Sequence, residues 1–159
     1  MQQNKKTLIV FSGDLDKALA AFIIANGAAA MGSEVTMFFT FWGLNILRRA
    51  KGVHVKKSFL ERLFGSMMPR GANKLGLSKL NFGGLGAKLM KFIMKQKNVN
   101  TLPELIEQAQ ALGVKMVACS MSMDVMGIRP EELIEGIEYA GVATYLGEAD
   151  EANVNLFIG

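Results

Sequence analysis

The sequence predicts an α/β protein with three layers, in which helices cover both faces of a mainly parallel, five-stranded, flavodoxin-like sheet. Short apolar runs rich in β-branched residues alternate with helical patterns of about ten residues or more, as parallel strands and crossover helices do. The 159 residues are half hydrophobic and one-fifth charged, which suits one folded domain and excludes a disordered chain. We therefore expect a single domain over residues 1–159, with a basic insertion at 48–97.

The first half of the chain alternates strand and helix patterns. A β-branched, apolar run at 7–12 predicts the first strand. Asp14 and Asp16 then supply helix-start chemistry for an apolar helix at 18–31. The remaining patterns of this half predict a strand at 34–41, a short helix at 42–50 and a helix at 86–96.

The second half is marked by helix signals. Thr101 and Glu104 form a capping-box pattern, and Gly113 ends the helix that it starts. Pro130 is typical of a helix start, so we expect a helix from there to Gly141. The remaining patterns predict strands at 114–119, 142–146 and 155–158, with a helical turn at 120–126.

Charge is distributed unevenly along the chain. Residues 48–97 contain thirteen lysines and arginines and one acid, Glu61, so this segment carries a net charge of +12. The rest of the chain has five bases and thirteen acids. The basic segment is a solvated face, a docking site for an anionic substrate or acidic partner, or an anchor to an anionic membrane surface. Nothing in it resembles a nucleic-acid-binding pattern.

Several function classes are excluded by composition. One cysteine and one histidine rule out a disulfide framework, a cysteine-rich zinc site and, in effect, a Ser-His-Asp triad. No Gly-rich phosphate-binding fingerprint is present, so we expect no cofactor. The polar start of the chain and an apolar stretch at 18–31, short of the ~20 residues that span a bilayer, predict a cytoplasmic protein.

The candidate functional residues lie in or next to three loops that follow strands. Ligands of open parallel sheets bind beyond the carboxyl ends of strands, so these loops are where a site is expected. Cys119 ends the third strand directly before a helical turn, a position that favours a thiolate, and is the candidate catalytic residue. The alternative is a small buried side chain, with the nearby methionines as core. The candidate pocket residues are Ser12, Gly13, Asp14, Thr40, Trp42, Ser120, Met121, Met123 and Asp124.

The segment 119–127 has the pattern C-x-M-x-M-D-x-M-G. Near the start of the chain, the sequence Ser-Gly-Asp at 12–14 joins the first predicted strand to the first predicted helix. Together with the basic insertion, these features resemble the DsrE/DsrF-like family, and most closely its second DsrE subgroup of DsrE-like or peroxiredoxin-family proteins. The resemblance runs from Thr7 to Gly159, and it implies a three-layer α/β/α fold and a role in sulfur trafficking. Cys119 matches the family's sulfur-accepting cysteine.

Members of this family carry sulfur as a cysteine persulfide and exchange it with TusA-like carriers and rhodaneses. The resemblance thus implies such partners, and a homo-oligomer that is a trimer or a hexamer. The second cysteine of some members is absent here, which favours a one-cysteine carrier. The subgroup is also described as membrane-associated through its middle segment, so peripheral membrane association is a further expectation.

We therefore expect a sulfur carrier or sulfurtransferase that holds sulfane sulfur as a persulfide on Cys119 and passes it to a partner thiol. The alternative is a non-catalytic interaction or membrane-peripheral subunit that uses the basic segment, with Cys119 structural. A flavodoxin-like nucleotide binder lacks its phosphate fingerprint. A thiol peroxidase with one cysteine would need an external resolving thiol.

Overall fold

A computed structural model describes residues 4–159 and contains one parallel sheet. Its five strands lie in the order β4-β3-β2-β1-β5, and every neighbouring pair is parallel. This confirms the predicted fold class. The strands are β1 (Lys5–Val10), β2 (Glu34–Phe39), β3 (Lys115–Cys119), β4 (Glu138–Ala140) and β5 (Val154–Ile158).

Six α-helices and three 3₁₀ helices lie in the described part of the chain. Capping boxes at Ser58 and Thr101 start the second and fourth α-helices, as side-chain oxygens accept hydrogen bonds from the first-turn N–H groups. The α-helices are α1 (Leu15–Ala30), α2 (Phe59–Met67), α3 (Leu85–Gln96), α4 (Leu102–Ala111), α5 (Ser120–Met126) and α6 (Val142–Asp150). The 3₁₀ helices are Phe41–Leu47, Phe82–Gly84 and Pro130–Glu132.

The two faces of the sheet are covered unequally, because alternate residues of each strand point to opposite faces. The larger core lies on the face that α1 and α4 cover, and it includes Leu8, Met37 and Met116 from the three central strands. The opposite face has a smaller core, in which Tyr145 of α6 covers Phe38 and Val117.

Two glycines allow the loops after β1 and β2 to cross in backbone contact. A Cβ atom at Gly43 would lie 2.0 Å from the carbonyl oxygen of Val10, and one at Gly13 would lie 2.6 Å from that of Trp42. No other residue fits such approaches without moving the backbone. The Gly43 N–H also donates to the Phe11 carbonyl at 2.9 Å. The carboxyl edge of the sheet is therefore fixed by glycine positions.

The elements between residues 130 and 150 differ from the prediction. The helix expected from Pro130 to Gly141 is wrong: the chain makes one 3₁₀ turn there and then the edge strand β4. The strand expected at 142–146 is also wrong, because those residues form the first half of α6. Both changes come from long-range contacts, since the Ile134 N–H donates to the Leu47 carbonyl and Tyr145 covers the sheet.

A buried carboxylate, Glu132, is one of the groups that tie the basic insertion to the rest of the domain. Glu132 is 1% exposed, and three cations surround it. The Lys57 Nζ lies 2.5 Å from a carboxylate oxygen of Glu132, and guanidinium nitrogens of Arg48 and Arg70 lie 3.7 and 3.6 Å from it. Burial by itself raises the pKa of Glu132, but the hydrogen bonds from Lys57 and the Arg129 N–H, with the nearby positive charges, hold it below its ordinary value.

The rest of the insertion leaves much apolar surface exposed. On α2, Phe59, Leu60 and Met67 are about three-quarters exposed. Phe82 and the α3 residues around it line an open, almost wholly apolar groove of about 570 Å³. Within residues 4–159, no helix is both long enough and apolar enough to cross a bilayer.

Candidate functional site

Cys119 is the last residue of β3 and the N-cap of α5. Its strand lies between β2 and β4, and Cys119 is in register with Ala140 of β4. Gly127, with a φ of 64°, ends α5 as the sequence predicts, because that left-handed conformation costs glycine little. The strand–cysteine–helix arrangement around Cys119 is therefore built by local sequence signals.

The thiol of Cys119 is buried on the sheet face that α6 covers. Cys119 is 3% exposed and belongs to the smaller core with Phe38, Val117 and Tyr145. The rings of Phe38 and Tyr145 stack with centroids 5.0 Å apart. An apolar, aromatic surrounding of this kind keeps water away from the sulfur. It also keeps reagents away unless this small core opens.

Tyr145 is the residue of this site that the sequence analysis missed. Its hydroxyl lies 3.0 Å from that of Thr7, which in turn donates to Asn155, so the ring that stacks on Phe38 is held by a polar chain. The segment 142–150 contains alanine, leucine and glutamate, which favour a helix. That composition was the available signal, and the β-branched residues Val142 and Thr144 masked it.

Thr40 joins the loop after β2 to the helix after Cys119. Its hydroxyl lies 2.6 Å from that of Ser122, which is completely buried. The contact links the carboxyl ends of β2 and β3, the two strand ends at which the sequence analysis expects functional residues. It places Thr40 beside α5 rather than in an open pocket.

Four of the predicted pocket residues line one open hollow of about 330 Å³: Ser12, Gly13, Asp14 and Trp42. The Asp14 N–H donates to the Ser12 hydroxyl, which donates back to the Asp14 carboxylate at 3.2 Å. The Lys17 Nζ lies 3.7 Å from the same carboxylate, so the partners of Asp14 come from its own loop and the first turn of α1. Cys119 does not line this hollow, and the structure thus divides the predicted residues into two groups.

The other predicted residues follow Cys119 on α5. Ser120 and Asp124 are exposed to solvent, and Met121 is 56% exposed. Met123 is buried in the larger core, on the other side of the helix from Met121. Met123 therefore packs as a core residue, whereas Ser120, Met121 and Asp124 form the solvent-facing surface next to the buried thiol.

Asp16 does not face this region either. Its carboxylate accepts hydrogen bonds from the backbone N–H and the hydroxyl of Ser78, within the basic insertion. Burial raises the pKa of Asp16, but the two hydrogen bonds from Ser78 outweigh it and leave the pKa below its ordinary value. Asp16 thus anchors the insertion to the start of α1.

Comparison with known proteins places the chain in a family. A family model described as the DsrE/DsrF/DrsH-like family matches residues 2–157. The chain belongs to the DsrE/DsrF/DrsH-like family. This confirms the resemblance on which the sequence analysis relied.

Two curated relatives match this DsrE-like chain over nearly its whole length. An uncharacterized protein of Bacillus subtilis (strain 168), YrkE, is 60% identical over 157 residues, which cover 99% of this chain and 98% of the relative. The sulfur carrier protein DsrE2 of Allochromatium vinosum is 39% identical over 162 residues, covering 99% of this chain and all of the relative.

Solved structures support the fold of this DsrE-like protein. The ychN protein of E. coli is 12% identical, with a TM-score of 0.55 over 96% of this chain and 98% of its own. A protein of unknown function from Methanobacterium thermoautotrophicum, MTH1491, is 13% identical with a TM-score of 0.50 at the same coverage. At such low identity these matches concern the fold alone.

Replacing Tyr145 by alanine is expected to expose the thiol. The change removes a large part of the small core to which Cys119 belongs and costs about 3 kcal/mol of folding stability, as for other buried aromatics. The rate at which an aromatic disulfide reagent modifies Cys119 in the folded protein should therefore rise at least about tenfold, followed by absorbance. Tyr145→Phe keeps the ring and should react at close to the original rate.

Phe22→Ala is the matched control, because Phe22 is fully buried on the opposite face of the sheet. It should lose similar stability without uncovering the sulfur. If Cys119 reacts as fast in Phe22→Ala as in Tyr145→Ala at the same folded fraction, Tyr145 does not control access.

Proposed function

We propose that this protein is a sulfur carrier that holds sulfane sulfur as a persulfide on Cys119 and relays it to a thiol of a partner protein. The observation that carries the proposal is the position of the only cysteine, at the carboxyl end of β3, in a chain 39% identical over nearly its full length to a named sulfur carrier protein. A role in sulfur trafficking is the common element of family and relative.

The proposed chemistry needs one thiol and two steps. The Cys119 thiolate attacks the outer sulfur of a polysulfide or of thiosulfate, and the sulfur–sulfur bond of the donor breaks. The electron pair of that bond leaves with the donor, as a shorter polysulfide or as sulfite. An acceptor thiolate then attacks the outer sulfur of the Cys119 persulfide, and the Cys119 thiolate is released.

Burial of Cys119 suits a carrier that exchanges sulfur within a protein complex. Cys119 is 3% exposed as a residue and so is shielded from water and stray oxidants, and the surface beside it carries the exposed Met121. Val142 and Leu146 of α6 are also more than half exposed. A partner that docks on these apolar side chains would displace α6 from the thiol, and we propose a TusA-like carrier or a rhodanese in that place.

Cys119 is expected to be the sole site of sulfur loading. Incubation with polysulfide should raise the intact mass by about 32 Da, the mass of one sulfur atom, because no other thiol exists in the chain. Dithiothreitol should reverse the change, and Cys119→Ser should show none. No adduct under conditions that load a known persulfide carrier would contradict the proposal.

A second candidate function is favoured by the same burial. In this alternative the protein is a non-catalytic interaction or membrane-peripheral subunit, and Cys119 is only a core residue. The exposed apolar side chains of α2 and α3, next to many lysines, are the surface that such a subunit would use. The two functions differ in what the basic segment does.

Charge reversal on α3 is expected to separate the two functions. Lys88 and Lys95 are exposed, whereas Lys91 donates to the Asn73 carbonyl at 2.7 Å and is left unchanged. The double variant Lys88→Glu/Lys95→Glu should slow sulfur transfer to an acidic carrier at low salt, because electrostatic attraction speeds encounter. Loading of Cys119 from free polysulfide should change little, which mass spectrometry can follow.

Vesicle sedimentation tests the membrane alternative with the same variant. Phosphatidylcholine vesicles with added phosphatidylglycerol should bind the original protein and not the variant if the segment is a membrane anchor, and pure phosphatidylcholine is the control. If transfer and vesicle binding both survive the charge reversal, the segment is a solvated face.

We also propose a homo-oligomer, a trimer or a hexamer, because so much apolar surface is uncovered on one chain. Phe59, Phe82 and Leu85 are 67–78% exposed, which is unusual for a monomer. Light scattering at micromolar concentration should give a mass that is a multiple of three chains of 17.3 kDa. A mass of one chain would reject the oligomer.

A further inference from the structure

A second hollow, separate from Cys119, lies between α2 and the segment that precedes it. Its volume is about 280 Å³, and charged side chains dominate its lining. Those residues come from the middle of the chain and from Glu132, so only the fold brings them together. The charged and titratable lining residues are His54, Lys57, Glu61, Arg62, Arg70 and Glu132.

Positive charge exceeds negative charge at this hollow. Glu61 is matched by Arg129, whose guanidinium donates to it at 2.9 Å. Arg48, Lys57 and Arg70 then share the single carboxylate of Glu132, which leaves an excess of two positive charges. Burying such an excess is costly unless an anion accompanies it.

The guanidinium groups also have unused donors. Among the described residues, Arg48 Nε and Nη2 and Arg70 Nη1 are buried and have no hydrogen-bond partner within 3.5 Å, and Arg48 Nη2 has only the ion pair with Glu132 at 3.7 Å. The side chain of Arg48 is completely buried, and its Nη1 makes only long contacts of 3.4–3.5 Å with Asn45, Gly65 and Pro69. Buried donors without acceptors are rare in folded proteins, because each costs free energy.

Gly65 leaves space beside Arg48 and Lys57. A Cβ atom placed at Gly65 would lie 3.9 Å from Arg48 Nη2 and 4.0 Å from Lys57 Nζ, so both nitrogens border the same open point. Gly65 is itself one of the residues that line the hollow, and it lies within α2. The cations that line the hollow itself are Lys57, Arg62 and Arg70, and Arg70 has the donor without a partner.

We propose that this hollow binds a small oxyanion with two negative charges, of the sulfate, thiosulfate or hydrogen phosphate class. Such an anion would balance the two excess charges, and its several oxygens could accept from the free donor of Arg70 and from Lys57. Arg48 does not line the hollow, and its buried guanidinium contributes positive charge nearby. His54 and Arg62, both exposed, lie at the solvent side of the same hollow. The site does not involve Cys119 and is independent of the sulfur-carrier proposal.

Isothermal titration calorimetry of the Cys119→Ser protein tests this proposal, because no sulfur transfer can occur in it. Sodium sulfate, thiosulfate and phosphate are titrated separately, against sodium chloride at equal ionic strength, and competition between them shows that they share one site. We expect saturable binding of one anion per chain. The order of affinity distinguishes a sulfur oxyanion from phosphate.

Three further variants locate the site. Arg70→Gln removes a charged donor and should weaken binding about tenfold or more. Gly65→Ala should weaken it similarly by filling the space, although it fits without a clash and favours the helix. Lys88→Gln, which removes an exposed charge from α3, should leave affinity unchanged.

Three results would overturn the proposal. One is binding no stronger than that of chloride, which would mean that water alone satisfies the donors. Another is an equal loss of affinity in Lys88→Gln and Arg70→Gln, which would indicate diffuse attraction to the whole basic segment. The third is unchanged affinity in Gly65→Ala.

Discussion

The structure depends on the backbone contact between the loops that follow β1 and β2. Gly43 lies against the Val10 carbonyl and Gly13 against that of Trp42, at distances that leave no room for a Cβ atom. This contact fixes where the loops end, and the Thr40–Ser122 hydrogen bond then sets α5 beside them. Because α5 begins directly after Cys119, this arrangement sets the backbone that follows the cysteine, while the position of Cys119 on β3 puts its side chain on the same face as Val117.

The sheet separates two chemical environments. On one side of the central strands, Cys119 shares a small apolar core with Phe38 and with Tyr145 of α6, which suits a sulfur atom that must avoid water. Near the other end of α5, Glu61 of α2 packs against Gly127 and pairs with Arg129, which brings the charged hollow up to the same helix. One short helix thus borders both an apolar site and a cationic one.

The buried Glu132 cluster explains the part of the chain where prediction failed. Local signals after Pro130 indicate a helix, yet Glu132 is drawn into contact with Arg48, Lys57 and Arg70. The chain around it pairs with residues 47–49, as the Arg49 N–H donates to the Glu132 carbonyl at 2.7 Å. Helix propensity is worth tenths of a kcal/mol per residue, whereas an uncompensated buried charge costs several. The long-range contacts therefore prevail.

The sequence by itself determined the layered α/β fold, four of the five strands and the place of Cys119 at a strand end before a helix. Those features follow from local causes: apolar runs, the capping box at Thr101 and the glycine that ends α5. The tertiary structure alone decided that Tyr145 joins Cys119 in one small core, that Asp14 and Trp42 line a hollow without Cys119, and that three cations share Glu132. These outcomes join residues far apart in the chain, and no local pattern records which distant partner a side chain will meet.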